Sequence, residues 1–323
     1  MDFLEFVFPV SGVKTNVFIP PLVAMVVSFF TSMGGVSGAF LLLPFQMSVL
    51  NYTNPSVSGT NFIYNIVAIP GGVYRYIRDG RMAWPITWVV IIGTLPGVFI
   101  GYYLRVLYLP GPKAFKLFVG CVLLYIGARL LYEFSGRAMT KNEASESLEK
   151  KFRERAEMMK TEQNSMLAAG LPVEATVKTI QVSLTKIEYA FWGERFSCST
   201  PGMFALAFVV GVIGGTYGIG GGAIIAPFCV AVFHLPVYTI AGAALMGTFI
   251  TSIAGVSFYS LIPVPGAVDT SPDWLLGVLF GIGGTVGIYL GARFQKFVPQ
   301  RVIKLVIGTL IASLALRYIL QYF

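Results

Sequence analysis

Charged residues are scarce in this sequence, and those present are unevenly distributed. Asp, Glu, Lys and Arg make up 12% of the 323 residues, whereas hydrophobic residues make up 55% and the mean hydropathy is +0.74. Residues 137–195 hold 10 of the 23 Lys and Arg residues and 9 of the 15 Asp and Glu residues, so the rest of the chain is nearly free of charge. A soluble fold of this length cannot hide so much apolar surface from water. The composition therefore predicts an integral membrane protein.

Ionisable groups are missing from the regions where membrane chemistry usually needs them. Three long ranges contain no Asp, Glu, Lys or Arg: 22–74, 203–268 and 274–292. Proton-driven pumps and many cation transporters carry such residues at membrane depth. The one histidine, His234, has no evident partner, and the three cysteines show no CxxC or Cys/His spacing. We therefore expect no enzyme activity, no cofactor and no metal site, and we expect backbone, hydroxyl and amide groups to contact the solute.

Long apolar segments run through both halves of the chain. A membrane-spanning helix needs about 20 apolar residues. Eight segments reach or approach that length: 20–50, 55–75, 84–104, 113–133, 202–233, 236–262, 273–292 and 300–321. Two of them are too long for one crossing, and each is interrupted by a glycine cluster that a proline follows. These clusters lie at 34–38 and 218–222.

The two interrupted segments are copies of one unit. A shift of 183 residues aligns Gly35 with Gly218 and Gly38 with Gly221. The same or a slightly larger shift aligns further residues: Pro44 with Pro227, Gly59 with Gly242, Gly93 with Gly283, Gly97 with Gly287 and Gly101 with Gly291. We therefore predict an all-α integral membrane protein with two glycine-broken helical repeats. The predicted first transmembrane repeat, polar cytoplasmic insert and second transmembrane repeat span 1–136, 137–200 and 201–323.

The distribution of basic residues favours repeats that point in opposite directions. If each broken segment dips into the membrane and returns as a hairpin, the repeats are inverted. One side then collects the insert together with Arg75, Arg78, Arg81, Arg293, Lys296, Arg301 and Lys304. The other side keeps Lys14, Arg105, Lys113, Lys116 and Arg317. The positive-inside rule favours this inverted arrangement over parallel repeats and makes the first side cytoplasmic.

The polar insert between the repeats has two parts. Lys141 to Ala169 has the period of an amphipathic helix. Residues 179–184 alternate between polar and apolar, and 188–196 are rich in aromatic residues, which predicts a short β-hairpin. We expect this helix-plus-hairpin insert to act as a solvated cytoplasmic linker, with a regulatory or partner-binding module as the alternative.

The glycine breaks are the candidate substrate site. Backbone amides at a helix start carry partial positive charge, and a glycine-rich break lets them converge on an anion. Two breaks that face each other would form an anion site near the membrane midplane. The candidate binding residues come from the breaks and from the segments that follow them: Ser37, Gly38, Ala39, Thr60, Asn61, Asn65, Gly220, Gly221, Gly222, Thr248, Thr251 and Ser252.

A purely structural interpretation competes with this one. Glycines let helices pack closely, and hydroxyl and amide side chains join membrane helices through hydrogen bonds. We prefer the packing interpretation for the two series of glycines spaced by four, which are Gly93, Gly97, Gly101, Gly283, Gly287 and Gly291. For the paired breaks with their following prolines we prefer the binding interpretation.

Three motifs in the hydrophobic halves carry a family resemblance. They are Gly34-Gly35-Val36-Ser37-Gly38 followed by Leu41 to Pro44, Gly214-Gly215-Thr216-Tyr217-Gly218-Ile219-Gly220-Gly221-Gly222 followed by Ile224 to Pro227, and Ala241-Gly242 with Gly247-Thr248. With these motifs the chain resembles the TauE/SafE sulfite exporter family, also called the TSUP family of permeases, over 20–133 and 202–321. The resemblance implies transport of sulfite, sulfonates or related sulfur compounds in bacteria.

The expected function is secondary transport of a small sulfur-containing anion across the bacterial inner membrane, as export by alternating access. A transporter of another small anion, such as a carboxylate, is one alternative. A membrane receptor or scaffold that acts through the polar insert is another. The expected partners are the anion and the lipid bilayer, and a homodimer is left open. Nucleic acid is excluded, because the basic residues outside the insert lie at the ends of apolar runs.

Overall fold

A computed structural model describes residues 5–33, 37–78, 80–132, 176–191, 193–233, 235–262, 270–294 and 300–322. Most of these residues are helical. The helices of the first half are α1 (Ile19–Met33), α2 (Ala39–Ser48), α3 (Ser56–Ala68), α4 (Pro70–Arg78), α5 (Trp84–Tyr103) and α6 (Pro112–Tyr132). Those of the second half are α7 (Thr200–Tyr217), α8 (Gly222–Phe233), α9 (Val237–Leu261), α10 (Trp274–Phe294) and α11 (Gln300–Leu320). A π-helical turn, Leu104–Tyr108, follows α5.

Five of the described helices are long and apolar enough to cross a membrane. They are α6, α7, most of α9 and of α10, and α5 together with its π-helical turn. The helices α1 and α2 and the second part of α11 are apolar but shorter. The described strands are β1 (Glu5–Val7), β2 (Lys14–Asn16), β3 (Val177–Val182), β4 (Lys186–Phe191) and β5 (Glu194–Ser199). The prediction of an all-α integral membrane protein is confirmed.

Each interrupted segment is divided between two helices. In the second half α7 ends at Tyr217 and α8 begins at Gly222. Gly218 and Gly220 have φ values of +89° and +80°, a left-handed conformation that glycine adopts without strain. Gly218 ends α7 as a left-handed cap whose N–H donates to Gly214 O at 2.8 Å. In the first half, α1 ends before residues 34–36 and α2 begins after them. Residues 34–36 themselves lie outside the described residues.

Both breaks reverse the direction of the chain. A β-carbon on Gly202, near the start of α7, would lie 3.3 Å from the ring of Phe233, at the end of α8. A β-carbon on Gly38 would lie 2.8 Å from the hydroxyl of Ser28, which is ten residues earlier. In a continuous helix ten residues would span about 15 Å. Thus α1 with α2, and α7 with α8, form helical hairpins.

The first hairpin has both of its ends near Asp273, just before α10. Ser11, which precedes α1, donates to Asp273 Oδ2 from its main-chain N–H at 3.0 Å and from its hydroxyl at 2.7 Å. The main-chain N–H of Asp273 donates to Thr60 Oγ1 at 2.8 Å. Thr60 lies near the start of α3, which directly follows the end of α2. We call this side of the helix bundle the Asp273 end.

The second hairpin opens toward the opposite end, which carries the sheet β3–β5. Strand β5 runs directly into α7. The hydroxyl of Tyr189 on β4 lies 2.8 Å from Thr239 Oγ1 in the first turn of α9, close after α8. Helix α9 then reaches the Asp273 end, where the Thr270 hydroxyl donates to Tyr259 O at 3.0 Å. Hairpins that open toward opposite ends are what inverted repeats require, and the inversion itself stays a prediction.

Helices from the two halves pack in exchanged pairs. Helix α1 packs on α10, α5 packs on α7, and α6 packs on α11. The two glycine series lie at the first two of these contacts. A β-carbon on Gly97 would lie 2.7 Å from Val212 N of α7, and one on Gly283 would lie 2.6 Å from the carbonyl carbon of Pro21 in α1. Since real β-carbons do not approach other atoms this closely, the glycines bring the helix backbones into contact.

The insert contains a three-stranded antiparallel sheet, in the order β3-β4-β5, where the sequence predicted a two-stranded hairpin. Gly193, with a φ of +80°, forms a turn that divides residues 188–196 between β4 and β5. Aromatic residues occur on both sides of this turn, so the aromatic pattern of the sequence does not mark its position. The predicted helix from Lys141 to Ala169 lies outside the described residues.

Replacing Gly283 with alanine is expected to destabilise the protein by about 1–3 kcal/mol, because the new methyl group would overlap the backbone of α1. Thermal unfolding in detergent, followed by tryptophan fluorescence, measures the effect. Gly111→Ala is the matched control, since a β-carbon there would meet no atom within 4 Å, and its expected change is within about 0.5 kcal/mol. Equal melting temperatures for the two variants would contradict the packing role of Gly283.

Candidate functional site

A single side chain joins the two helix breaks. Asn61 is fully buried on α3, and its Nδ2 donates to Ala39 O at 3.2 Å and to Gly218 O at 3.0 Å. Ala39 is the first residue of α2, and Gly218 ends α7. Because one nitrogen reaches both carbonyl groups, the two breaks lie side by side. This is the geometry on which the predicted site depends.

Two further amide side chains extend the contact around Asn61. Asn65, one turn later on α3, donates from Nδ2 to Ile219 O at 3.0 Å and to Ser252 Oγ at 3.2 Å. Gln46 of α2 donates from Nε2 to Asn61 Oδ1 at 3.3 Å. Helices α2, α3 and α9 therefore meet at the second break through buried hydrogen bonds.

The site also contains buried polar atoms without partners among the described residues. The side-chain oxygens Gln46 Oε1 and Asn65 Oδ1 accept no hydrogen bond there. The main-chain N–H groups of Gly220 and Gly222 have no acceptor among the described residues, whereas that of Gly221 donates to Thr251 Oγ1 at 3.2 Å. An unpaired buried polar group costs about 1–3 kcal/mol. Free donors and free acceptors at one break are therefore suited to hold a small polar solute.

Dipoles set the electrostatics of this region. Helices α2 and α8 both begin at the breaks, so their N-terminal N–H groups carry partial positive charge there. None of α1, α2, α3, α7, α8 or α9 contains Asp, Glu, Lys or Arg. Without a formal charge nearby, these helix starts favour a negative ligand.

Most of the predicted residues of the second half line the break itself. A β-carbon on Gly220 would lie 2.8 Å from Thr248 Cγ2 and 3.2 Å from Ser252 Oγ, and one on Gly222 would lie 2.6 Å from Thr248 N. The hydroxyl groups of Thr248 and Thr251 donate within α9, to Ala244 O and Gly247 O. The second break therefore packs directly on the backbone of α9.

The predicted residues of the first half are more dispersed. Ser37 Oγ accepts the Ala39 N–H at 3.3 Å, a local cap at the start of α2. A β-carbon on Gly38 would come within 2.8 Å of Ser28 Oγ and would overlap the hydroxyl of Tyr64. Thr60 lies apart from the break.

The Thr60 hydroxyl instead belongs to a group of hydrogen bonds at the Asp273 end. It lies 3.0 Å from the Tyr52 hydroxyl and accepts the Asp273 N–H at 2.8 Å. Although Thr60 and Asn61 are neighbours in sequence, they project from different faces of α3. The presence of both polar residues in one segment does not predict which face of the helix each of them occupies.

Several side chains at the breaks were not predicted. Gln46 is buried, like Asn61, and both are amides in the uncharged range 22–74. The sequence signal that indicates Asn61 therefore applies equally to Gln46. Tyr217 donates to Phe40 O at 2.8 Å, which ties the end of α7 to α2. The Tyr64 hydroxyl lies 2.8 Å from Ser28 Oγ beside Gly38. Tyrosines within apolar runs give no sequence signal that separates them from core aromatics.

Paired helix breaks joined by buried amides, inside a multi-pass and nearly uncharged helix bundle, are typical of membrane transporters. The model of the family "Sulfite exporter TauE/SafE" matches residues 21–318. The chain therefore belongs to the TauE/SafE sulfite exporter family and is a multi-pass membrane transporter protein.

Two curated relatives come from Bacillus subtilis (strain 168). The probable membrane transporter protein YunE is 22% identical over 282 residues, which cover 85% of this chain and 87% of that protein. The probable membrane transporter protein YdhB is 29% identical over 93 residues, which cover 28% of this chain and 35% of that protein. No solved structure matches the chain significantly.

Replacing Asn61 with alanine is expected to lower the free energy of unfolding by about 1–3 kcal/mol or more, because the Ala39 and Gly218 carbonyl groups lose a buried donor. Thermal unfolding in detergent measures this change. Ser257→Ala is a suitable control, since the half-buried Ser257 hydroxyl donates within its own helix, to Ile253 O. Asn61 would not be the link between the breaks if both variants melted with the wild type.

Proposed function

We propose that the protein exports a small sulfur-containing oxyanion, such as sulfite or a sulfonate, through the site at the paired breaks. The observation that carries the proposal is the Asn61 bridge, which holds the start of α2 beside the end of α7, where the second break begins, among helices that carry no formal charge. Free N–H groups at Gly220 and Gly222 are suitable donors for oxyanion oxygens. Membership in the TauE/SafE family supports sulfur chemistry over that of other anions.

Energetics favour export over uptake. With the cell interior negative, each negative charge that leaves gains about 2.3 kcal/mol per 100 mV. Uptake would need a coupled cation, and the helices around the breaks carry no acidic residue to bind a proton or a sodium ion. An anion of charge −1 or −2 can therefore leave without another source of energy.

Alternating access is the mechanism that we propose. The described site is closed on several sides, since β-carbons on Gly218 and Gly221 would lie 2.6 Å from Ser58 Cα and from Thr94 Cγ2. A solute enters such a site only if the helices around the break separate. The two hairpins open toward opposite ends of the bundle, so movement of one hairpin would expose the site to one side at a time.

Two other functions make different demands on the chain. A small carboxylate has oxygens that the same N–H donors can hold, so only a substrate panel separates it from sulfite.

A receptor or scaffold would act through the insert. The sheet β3–β5 is part of the packed structure, because Ile187, Tyr189 and Phe191 are buried. Deleting only residues 141–175 therefore tests that role, and transport should survive the deletion.

Transport is tested with purified protein in liposomes that hold a membrane potential, negative inside. We expect release of sulfite, thiosulfate or a sulfonate, and slower release of acetate. Asn65→Asp should reduce the rate about 10- to 100-fold, because it places a negative charge beside the second break.

Ser313→Ala is the control for this assay. Ser313 is exposed and donates only within its own helix, to Leu310 O, so transport should be unchanged. Faster release of acetate than of every sulfur anion would support the carboxylate alternative. Wild-type rates in Asn65→Asp would place the substrate elsewhere.

A further inference from the structure

Arg105 is a buried cation in the helix bundle. It lies in the π-helical turn Leu104–Tyr108 at the Asp273 end, and none of its side chain is exposed. Its position at the end of an apolar run predicts a residue at the membrane surface, and burial of the side chain corrects that prediction. Single π-helical turns of this kind often occur at functional sites.

Among the residues that the structure describes, the guanidinium group contacts no counter-ion. It donates to Leu109 O and, at 3.1 Å, to Thr53 O, and its Cζ lies 3.6 Å from the centre of the Phe115 ring. Nε is buried and has no partner among the described residues.

Asp273, a buried acid at this end, is already engaged elsewhere. Asp273 accepts hydrogen bonds from Ser11 at Oδ2 and from the Leu276 N–H at Oδ1, and it forms no ion pair with Arg105. A buried charge without a partner costs several kcal/mol. An anion that binds at Arg105 would remove that cost.

Polar groups connect the second break to the surroundings of Arg105. Gly218 packs on the backbone of Ser58, whose hydroxyl donates to Thr216 O at 3.2 Å. The Tyr259 hydroxyl donates to Gly215 O at 3.4 Å, beside the same break. The Tyr259 ring also lies 4.9 Å, centre to centre, from the ring of Tyr102, which precedes Arg105 by three residues. Hydroxyl and aromatic groups therefore connect the second break with the turn that carries Arg105.

We propose that Arg105 forms a second binding site for the transported oxyanion, between the paired breaks and the Asp273 end. This inference rests on the proposed function. A guanidinium group presents several N–H donors in a fixed plane, which suits the oxygens of sulfite or a sulfonate. Under the positive-inside rule the Asp273 end faces away from the cytoplasm, so the site lies on the exit side.

A structural role is the competing explanation, because the same side chain joins the connection between α2 and α3 to the connection between α5 and α6. The test therefore uses Arg105→Lys, which keeps the charge, and Arg105→Gln, which removes it. Arg317→Gln is the matched control, since Arg317 is an exposed arginine at the same end. Each variant is purified at full length, and its melting temperature is recorded in chloride, sulfate and sulfite at equal ionic strength.

In liposomes we expect Arg105→Lys to raise the KM for sulfite efflux about 10- to 100-fold, with a smaller effect on kcat. Sulfite should raise the melting temperature of the wild type and of Arg317→Gln, and that rise should be smaller in both Arg105 variants. A merely structural arginine would lower every melting temperature equally and leave the sulfite-dependent rise intact. That result, or a wild-type KM in Arg105→Lys, would overturn the proposal.

Two further outcomes remain decisive. If Arg105→Gln does not fold, Arg105→Lys alone decides, through its KM and its sulfite-dependent melting temperature. If the wild type transports none of the sulfur anions, the proposed function fails. The inference about Arg105 then stands only if sulfite or sulfate still stabilises the wild type and Arg317→Gln, relative to chloride, and does not stabilise Arg105→Lys.

Discussion

The hydrogen bonds of the two helix breaks are the constraint on which this structure depends. A break frees main-chain carbonyl and N–H groups, and the interior of a membrane offers no water to satisfy them. Asn61 and Asn65 supply donors to Ala39, Gly218 and Ile219, so that both breaks are held from one face of α3. The carbonyl groups are thereby satisfied by the protein, whereas N–H groups at Gly220 and Gly222 stay available. Free N–H donors at a helix start are the basis of the anion site that we propose.

Packing and binding are compatible roles for the glycines at the second break. Gly218 and Gly220 permit the left-handed backbone that reverses the chain, and Gly221 and Gly222 admit α5 and α9 into close contact. A side chain at these positions would hold the helices apart and would also cover the N–H groups. The same missing β-carbons therefore let the helices close around the break and, in the mechanism that we propose, leave its N–H groups uncovered for a small solute.

Formal charge is used sparingly within the bundle. The helices around the breaks carry none, so the partial charges of the helix starts dominate the electrostatics there. Arg105 is a fully buried cation, and it lies to one side of the breaks, at the Asp273 end. In the export route that we propose, an anion would leave a dipolar site for a cationic one under a negative interior potential.

The sequence by itself determined the membrane class, the apolar segments, the two breaks and the family, because composition, hydrophobic length and glycine clusters are local properties of the chain. It also identified Asn61 and Asn65, which stand out as amides in an uncharged run. Only the tertiary structure decided that one amide joins both breaks, that Thr60 belongs to the Asp273 end, and that Arg105 is buried. Those facts depend on which helix faces lie together, and residues far apart in the sequence, such as Asn61 and Gly218, meet only through the exchanged packing of the two halves.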